Sequence, residues 1–118
     1  MRVMLKSKIH RATVTDSNIN YEGSINIDRK LMQAADILPY EQVHVLDVNN
    51  GTRLTTYAIE GEAGEICING AAAKLVSKDD TVIILSYCHV NEETARIFHP
   101  KLVYVDTRNR ITSTKGTI

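Results

Sequence analysis

The bond between Gly23 and Ser24, in the run Tyr21-Glu22-Gly23-Ser24, is where this chain could attack its own backbone. A serine hydroxyl that reaches the carbonyl carbon before it converts that amide into an ester. β-Elimination of the acyl group leaves dehydroalanine, and hydrolysis leaves a pyruvoyl group. Glycine at 23 suits the step, because it lacks a Cβ and accepts a strained backbone at little cost. The developing oxyanion needs a donor, and one well-placed donor contributes about 10²–10³ in rate. Thr56 is the candidate donor. No Gly-x-Ser-x-Gly elbow surrounds Ser24, so a hydrolase triad is the poorer reading.

A pyruvoyl ketone condenses with an amine and then acts as an electron sink, the part pyridoxal phosphate plays elsewhere. An acidic amino acid held in this way could lose carbon dioxide, with no pyridoxal phosphate and no metal. Its carboxylates need cations, and Arg53 offers a bidentate fork while Lys8 offers a point charge. The carbanion left behind needs a proton, which the Tyr57 phenol can donate at neutral pH. In Asn69-Gly70-Ala71-Ala72-Ala73 the small side chains expose backbone amides to a ligand. Each residue also has a plainer role. Tyr57 suits a packed strand position, Lys8 and Arg53 suit solvated charges, His10 suits a satisfied surface histidine, and the alanines suit packing. Strand alternation puts residues 53, 55 and 57 on one face and Thr56 on the other, so Thr56 must reach a different region.

The rest of the chain bounds what these residues can be part of. A length of 118 residues is one domain with a modest core. Lysine plus arginine and aspartate plus glutamate both number 14, and that balance argues against a nucleic-acid partner. No apolar run is long enough to span a membrane, and Met1-Arg2-Val3-Met4-Leu5-Lys6 lacks the apolar stretch of a signal peptide, so a cytoplasmic protein is expected. Cys67 and Cys88 stand far apart and read as free thiols. The four histidines show no ligand spacing, so no metal site is expected.

The elements that must position the candidates are mostly strands. Val3 to Val14 reads as one or two, and Ser24 to Ile27 as a short extended piece. Asp28 is placed to cap a helix whose face is Leu31, Ala34, Ala35 and Leu38, ending near Leu38 because Pro39 follows. Gln42–Val48 and Arg53–Ile59 flank Asn50-Gly51, a hairpin signal. Glu65–Ile68, Thr81–Ser86 and Leu102–Asp106 read as further strands, and Asn91–Phe98 as a helical turn or two. The polar tail from Thr107 is expected to fray. Many short strands with two-sided apolar runs predict a mainly β fold, a small closed barrel with one clear helix.

Four motifs in order resemble the pyruvoyl-dependent aspartate 1-decarboxylases. They are Lys8-Ile9-His10-Arg11, Tyr21-Glu22-Gly23-Ser24, Asn50-Gly51-x-Arg53-x-Thr55-Thr56-Tyr57 and Asn69-Gly70-Ala71-Ala72-Ala73, and the resemblance runs from about Met1 to Asp106. It implies a double-psi β-barrel, a homotetramer and a proenzyme cut into 1–23 and 24–118. By position, Ser24 becomes the pyruvoyl group and Tyr57 the proton donor. Thr56, Gly70, Ala71 and Ala72 contact substrate, and Thr56 also serves processing. Lys8, Arg53, His10 and Asn69 support binding or processing. The implied substrate is L-aspartate, and the product is β-alanine for pantothenate synthesis. Two other readings start from the same residues: Lys8 as an amine nucleophile, and a small barrel serving as a non-enzymatic binding module.

Overall fold

The computed structural model describes all 118 residues. Nine strands form one hydrogen-bonded order, β2-β6-β3-β5-β4-β7-β1-β8-β9. In chain order they are β1 (Arg2–Thr13), β2 (Asp16–Asn18), β3 (Ser24–Asp28), β4 (Gln42–Asp47), β5 (Arg53–Gly61), β6 (Ile66–Asn69), β7 (Thr81–Val90), β8 (Lys101–Val105) and β9 (Ile111–Lys115). The order closes on itself because β1 runs almost directly into β2. Between them, Thr15 N donates to Ile66 O at 2.8 Å, and Thr15 Oγ1 accepts from Ile66 N at 3.0 Å. One extended stretch therefore pairs with β7 and β8 early and with β6 late. A closed barrel leaves fewer open edges for another chain to pair with. The mainly β class expected from the sequence is the class observed.

Strand alternation fills the interior. Ile9, Ile25, Ile27, Val45, Ile68 and Ile84 have no exposed surface, and β-branched residues of this kind pack well on a pleated face. The parallel pairing of β3 with β5 and its antiparallel pairing with β6 place β3 at the centre of one half of the barrel.

The first helix, α1, spans Arg29–Ala35. Asp28 caps it as expected, accepting from Lys30 N at 2.8 Å. The helix ends three residues short of the expected Leu38. Asp36 adopts φ 54° and its N–H turns back to Gln33 and Met32. Ile37 then tucks inward at 3% exposure, while Leu38 is left 66% exposed. A left-handed residue followed by an apolar contact is a common helix stop, and it acted before Pro39 could. A second short helix, α2 (Glu92–Arg96), starts at Asn91, whose side chain accepts from Thr94 N at 2.8 Å. Strand β7 runs on to Val90, past the expected Ser86.

The tail does not fray. Strand β9 pairs antiparallel with β8, Leu102 opposite Lys115. All five of its residues are exposed, so it carries no apolar alternation for a sequence reading to find. Asn109 pins the turn before it. This residue is 2% exposed, with φ 62°. Its Oδ1 accepts from Thr13 N at 2.7 Å, and its Nδ2 donates to Thr13 O and Gly64 O, both at 2.9 Å. Asn tolerates the left-handed region better than most residues. Asn109→Ala removes the side-chain partner of three half-buried backbone groups and should cost about 2–4 kcal/mol. Denaturant unfolding in an uncut Ser24→Ala background measures it, and a change under about 0.5 kcal/mol would mean water replaces the side chain.

The Asn50-Gly51 hairpin forms with a loop rather than a two-residue turn. Leu46 and Arg53 are the last paired residues, and Gly51 takes φ 75°. Asp47 is buried at the loop base, its Oδ1 accepting from Asn49 N at 2.8 Å. Its Oδ2 is buried and meets no N–H or hydroxyl, and the Asp80 carboxyl is its acidic neighbour. Burial first, then this contact, pushes Asp47 above the ordinary carboxylate range, and the same contact holds Asp80 below it. A raised folded-state pKa contributes stability in full below the unfolded value of 3.8, and loses it as pH climbs through the folded value. The depressed Asp80 has the opposite sign and loses its contribution as pH falls. In Asp47→Asn an amide that does not titrate replaces the carboxyl whose pKa is raised. The Tm of this variant relative to the parent should therefore rise between about pH 4 and about pH 7. A flat difference across that range would mean that Asp47 is not held above the ordinary carboxylate range.

Candidate active site

Two registers bring the centre of the site together. Ser24 stands opposite Asn69 in the antiparallel pairing of β3 and β6. Ile25 stands opposite Ala58 in the parallel pairing of β3 and β5, so one residue back brings Ser24 beside Tyr57. Ser24 is 1% exposed although Gly23 before it is exposed, which puts their shared bond at the boundary between solvent and barrel.

The Ser24 hydroxyl makes two hydrogen bonds. It donates to Glu22 O at 3.0 Å and accepts from Asn69 Nδ2 at 3.0 Å. Asn69 is 2% exposed, and its Nδ2 also donates to Asn26 Oδ1 at 2.6 Å. Its Oδ1 accepts from the Cys67 thiol at 3.3 Å. Asn69 stands at the N-cap of a 3₁₀ helix, Gly70–Lys74, yet makes no side-chain cap bond. Its capping atoms are spent on the Ser24 cluster instead.

Gly70 lies against the backbone of Gly23. A Cβ on Gly70 would fall 2.7 Å from Gly23 Cα and 2.8 Å from Gly23 N, and φ is 74°. Only glycine meets both conditions. A cavity of about 250 Å³ opens here, lined by Tyr21, Glu22, Ser24, Tyr40, Tyr57 and Ile59. The Tyr57 ring lies 6.4 Å from that of Tyr40, centroid to centroid. A small carbonyl group made from residue 24 fits these surroundings: a nucleophile behind a glycine, a backbone cradle that a Cβ would fill, and a phenol on the same cavity.

Other candidates lie elsewhere in the chain. Arg53 and Thr55 share the outer face of β5 with Tyr57, while Thr56 is half-buried on the opposite face, across from Val43. Lys8 is half-buried on β1 between Leu85 and Leu102. His10 packs edge-on against Tyr104 with ring centroids 5.5 Å apart. Its Nδ1 is buried without a partner, and burial first, then Lys8 and Arg11, lowers its pKa. Ala71 is exposed and Ala72 is partly buried against the core. None of these residues lines the Ser24 cavity. The cavity adds residues that the sequence reading did not single out: Tyr40 in its wall, with Asn26 and Cys67 beneath it. No signal within either strand could have flagged the last two, because Asn26 and Cys67 meet only where β3 pairs with β6. No group of three or more His, Cys, Asp or Glu side chains is arranged to hold a metal ion. No helix is long and apolar enough to cross a membrane.

A β-barrel whose buried serine follows a glycine, with an amide and a phenol beside it, defines a class of candidate self-processing enzymes. Comparison with known proteins narrows the class. The aspartate decarboxylase family model matches residues 1–112. An aspartate 1-decarboxylase of Dehalococcoides mccartyi (strain CBDB1) is 63% identical over 117 residues, covering 98% of this chain and 94% of the relative. One from Syntrophus aciditrophicus is 60% identical over 112 residues, covering 93% and 97%. One from Thermoanaerobacter pseudethanolicus is 58% identical over 111 residues, covering 92% and 95%. This chain belongs to the aspartate decarboxylase family.

The contact between Gly70 and Gly23 yields a test of the geometry. Gly70→Ala must displace Gly23 or twist the start of the 3₁₀ helix. Cleavage of fresh protein at 23–24, followed by intact mass, should slow at least tenfold. Cleavage at the parental rate would show that the approach of these two backbones does not matter to Ser24.

Proposed function

We propose that this chain decarboxylates L-aspartate to β-alanine and carbon dioxide, after cutting itself between Gly23 and Ser24 into 1–23 and 24–118. The observation that carries the reading is the position of Ser24: buried, preceded by an exposed glycine, and sharing a cavity with the Tyr57 phenol. Membership of the aspartate decarboxylase family supports the substrate. The product places the enzyme at the supply of β-alanine for pantothenate.

Processing uses the chain's own atoms and water. Ser24 Oγ attacks the Gly23 carbonyl carbon, the Gly23–Ser24 C–N bond breaks, and the hydroxyl proton ends on the freed Ser24 nitrogen. Ser24 then loses its Cα proton while the Cβ–Oγ bond breaks, releasing 1–23 with a terminal carboxylate. Hydrolysis of the remaining dehydroalanine takes one water and releases ammonia. No oxidant or metal enters the balance.

The pyruvoyl group so formed supplies an electron sink for the electrons left when carbon dioxide departs. The protein supplies position and a proton. Tyr57, on the cavity wall, holds the phenolic proton for the carbon that has lost its carboxylate. The Gly70-Ala71-Ala72 backbone and Thr56 are assigned to substrate contact and Thr56 also to processing, with Asn69 and His10 in support. Arg53 and Lys8 are assigned to the substrate carboxylates, Arg53 as the bidentate partner. Neither cation lines the Ser24 cavity within one copy. Assembly into a homotetramer is therefore part of the reading. Val3, Leu38 and Tyr40, at 62, 66 and 78% exposure, are apolar surface for such contacts.

The two reactions separate on two residues. Ser24→Ala should stay one chain and make no β-alanine. Tyr57→Phe should be cut normally yet turn over about 10²–10⁴ more slowly, having lost only the phenolic proton. Intact mass reports cutting and β-alanine release reports turnover. Fully active protein consisting only of uncut chain would sink the reading. Parental turnover in cut Tyr57→Phe would remove Tyr57 as donor.

A further inference from the structure

The Ser24 hydroxyl has one proton and two lone pairs. The proton goes to Glu22 O and one lone pair is taken by Asn69 Nδ2, so one lone pair is left for the Gly23 carbonyl carbon. That arrangement, with the proton turned to Glu22 O and the oxygen held by an N–H, lasts only while Asn69 presents its nitrogen. An amide side chain has two nearly isosteric orientations, and in the other one its oxygen would accept the hydroxyl proton instead.

We propose that Cys67 and Asn26 are positioning residues that lock the Asn69 carboxamide with its nitrogen toward Ser24, and so set the rate at which the chain cuts itself. The lock has two parts. Asn26 Oδ1 takes the second Nδ2 proton at 2.6 Å, and the Cys67 thiol donates to Asn69 Oδ1 at 3.3 Å. Turning Asn69 alone would set two amide oxygens against each other and point an NH₂ at a thiol, which is a weak acceptor. Turning Asn26 as well would relieve the first conflict. It would leave the thiol proton facing only Ile68 O, at 4.0 Å. Cys67 therefore decides between the two arrangements.

The thiol is suited to this. It is 7% exposed. Burial first, then the charges of Asp16 and Glu65, pushes its pKa up, so it remains an S–H donor at neutral pH. The pairing that places it is part of the sheet: Asn26 stands opposite Cys67, two residues from the Ser24 and Asn69 pair on the same strands. In an antiparallel ladder such residues lie on one face.

The proposal rests on Ser24 being the residue that cuts the chain. The test follows cleavage of freshly made precursor by intact mass in Cys67→Ala, Cys67→Ser, Asn26→Ala and Asn26→Asp, with each Tm measured in a Ser24→Ala background. Losing a donor or acceptor should slow cutting about tenfold in the two alanine variants. Cys67→Ser keeps a donor and Asn26→Asp keeps an acceptor, so both should cut within about threefold of the parent. Alanine variants that cut at the parental rate would overturn the lock and leave the role of Ser24 standing. Serine and aspartate variants as slow as the alanine ones would overturn it too, since packing alone would then explain the loss. A parent that never cuts would overturn the role of Ser24 itself. Asn26 is half-buried, so Asn26→Ala carries the test if Cys67→Ala does not fold.

Discussion

The pairing of Ser24 with Asn69 is the constraint on which the site depends. It fixes the partner of the nucleophile. It also fixes where the chain turns next, because Gly70 follows Asn69 and must pass against Gly23. A slip of one residue would point Ser24 to the other face of the sheet and take Asn69 away from it. Such slips are resisted by burial: Ile25, Ile27, Ile66 and Ile68 flank the pair and have no exposed surface. The hydrophobic core is thus what holds a polar contact in register.

Barrel closure makes that register rigid. Ser24 begins a strand, Tyr57 lies within one, and Asn69 ends one. Sites on strands are held more tightly than sites on free loops. Closure depends on the short seam at Thr15, and the turn at Asn109 ties the β1 end of that seam to Gly64. The Thr15 contact holds the start of β6, the strand that pairs with the one Ser24 begins.

Much of this was legible in the sequence, and the losses have physical reasons. Two-sided apolar runs such as Val82 to Leu85 signalled buried strands, and Asp28 signalled a helix start; both are local patterns. The end of α1 is not legible because Asp36 in a left-handed conformation stops a helix without glycine. Strand β9 reads as a fraying tail because its stability comes from backbone pairing with β8, which leaves no trace in an all-exposed Ile-Thr-Ser-Thr-Lys. The glycine and serine of the site stand out by type and order. Tyr40, Asn26 and Cys67 do not, because their importance lies in which strands meet, and pairing partners are not written in either strand alone.

Local rules are broken most densely around Ser24. Asn69 forgoes its cap, and Tyr40, an aromatic residue, sits at φ 70°. Two of the other positive φ values have evident structural returns: Asp36 ends a helix, and Asn109 satisfies three backbone groups. The strain at Tyr40 brings no comparable gain in packing, since Tyr40 is 78% exposed although it lines the cavity. Its backbone N–H does bond Ala58 O at 2.7 Å, which anchors the ring beside Tyr57. Strain that is held in place by the surrounding sheet, but does not stabilise it, collects where function needs a fixed geometry. In this fold it surrounds one hydroxyl and the bond before it.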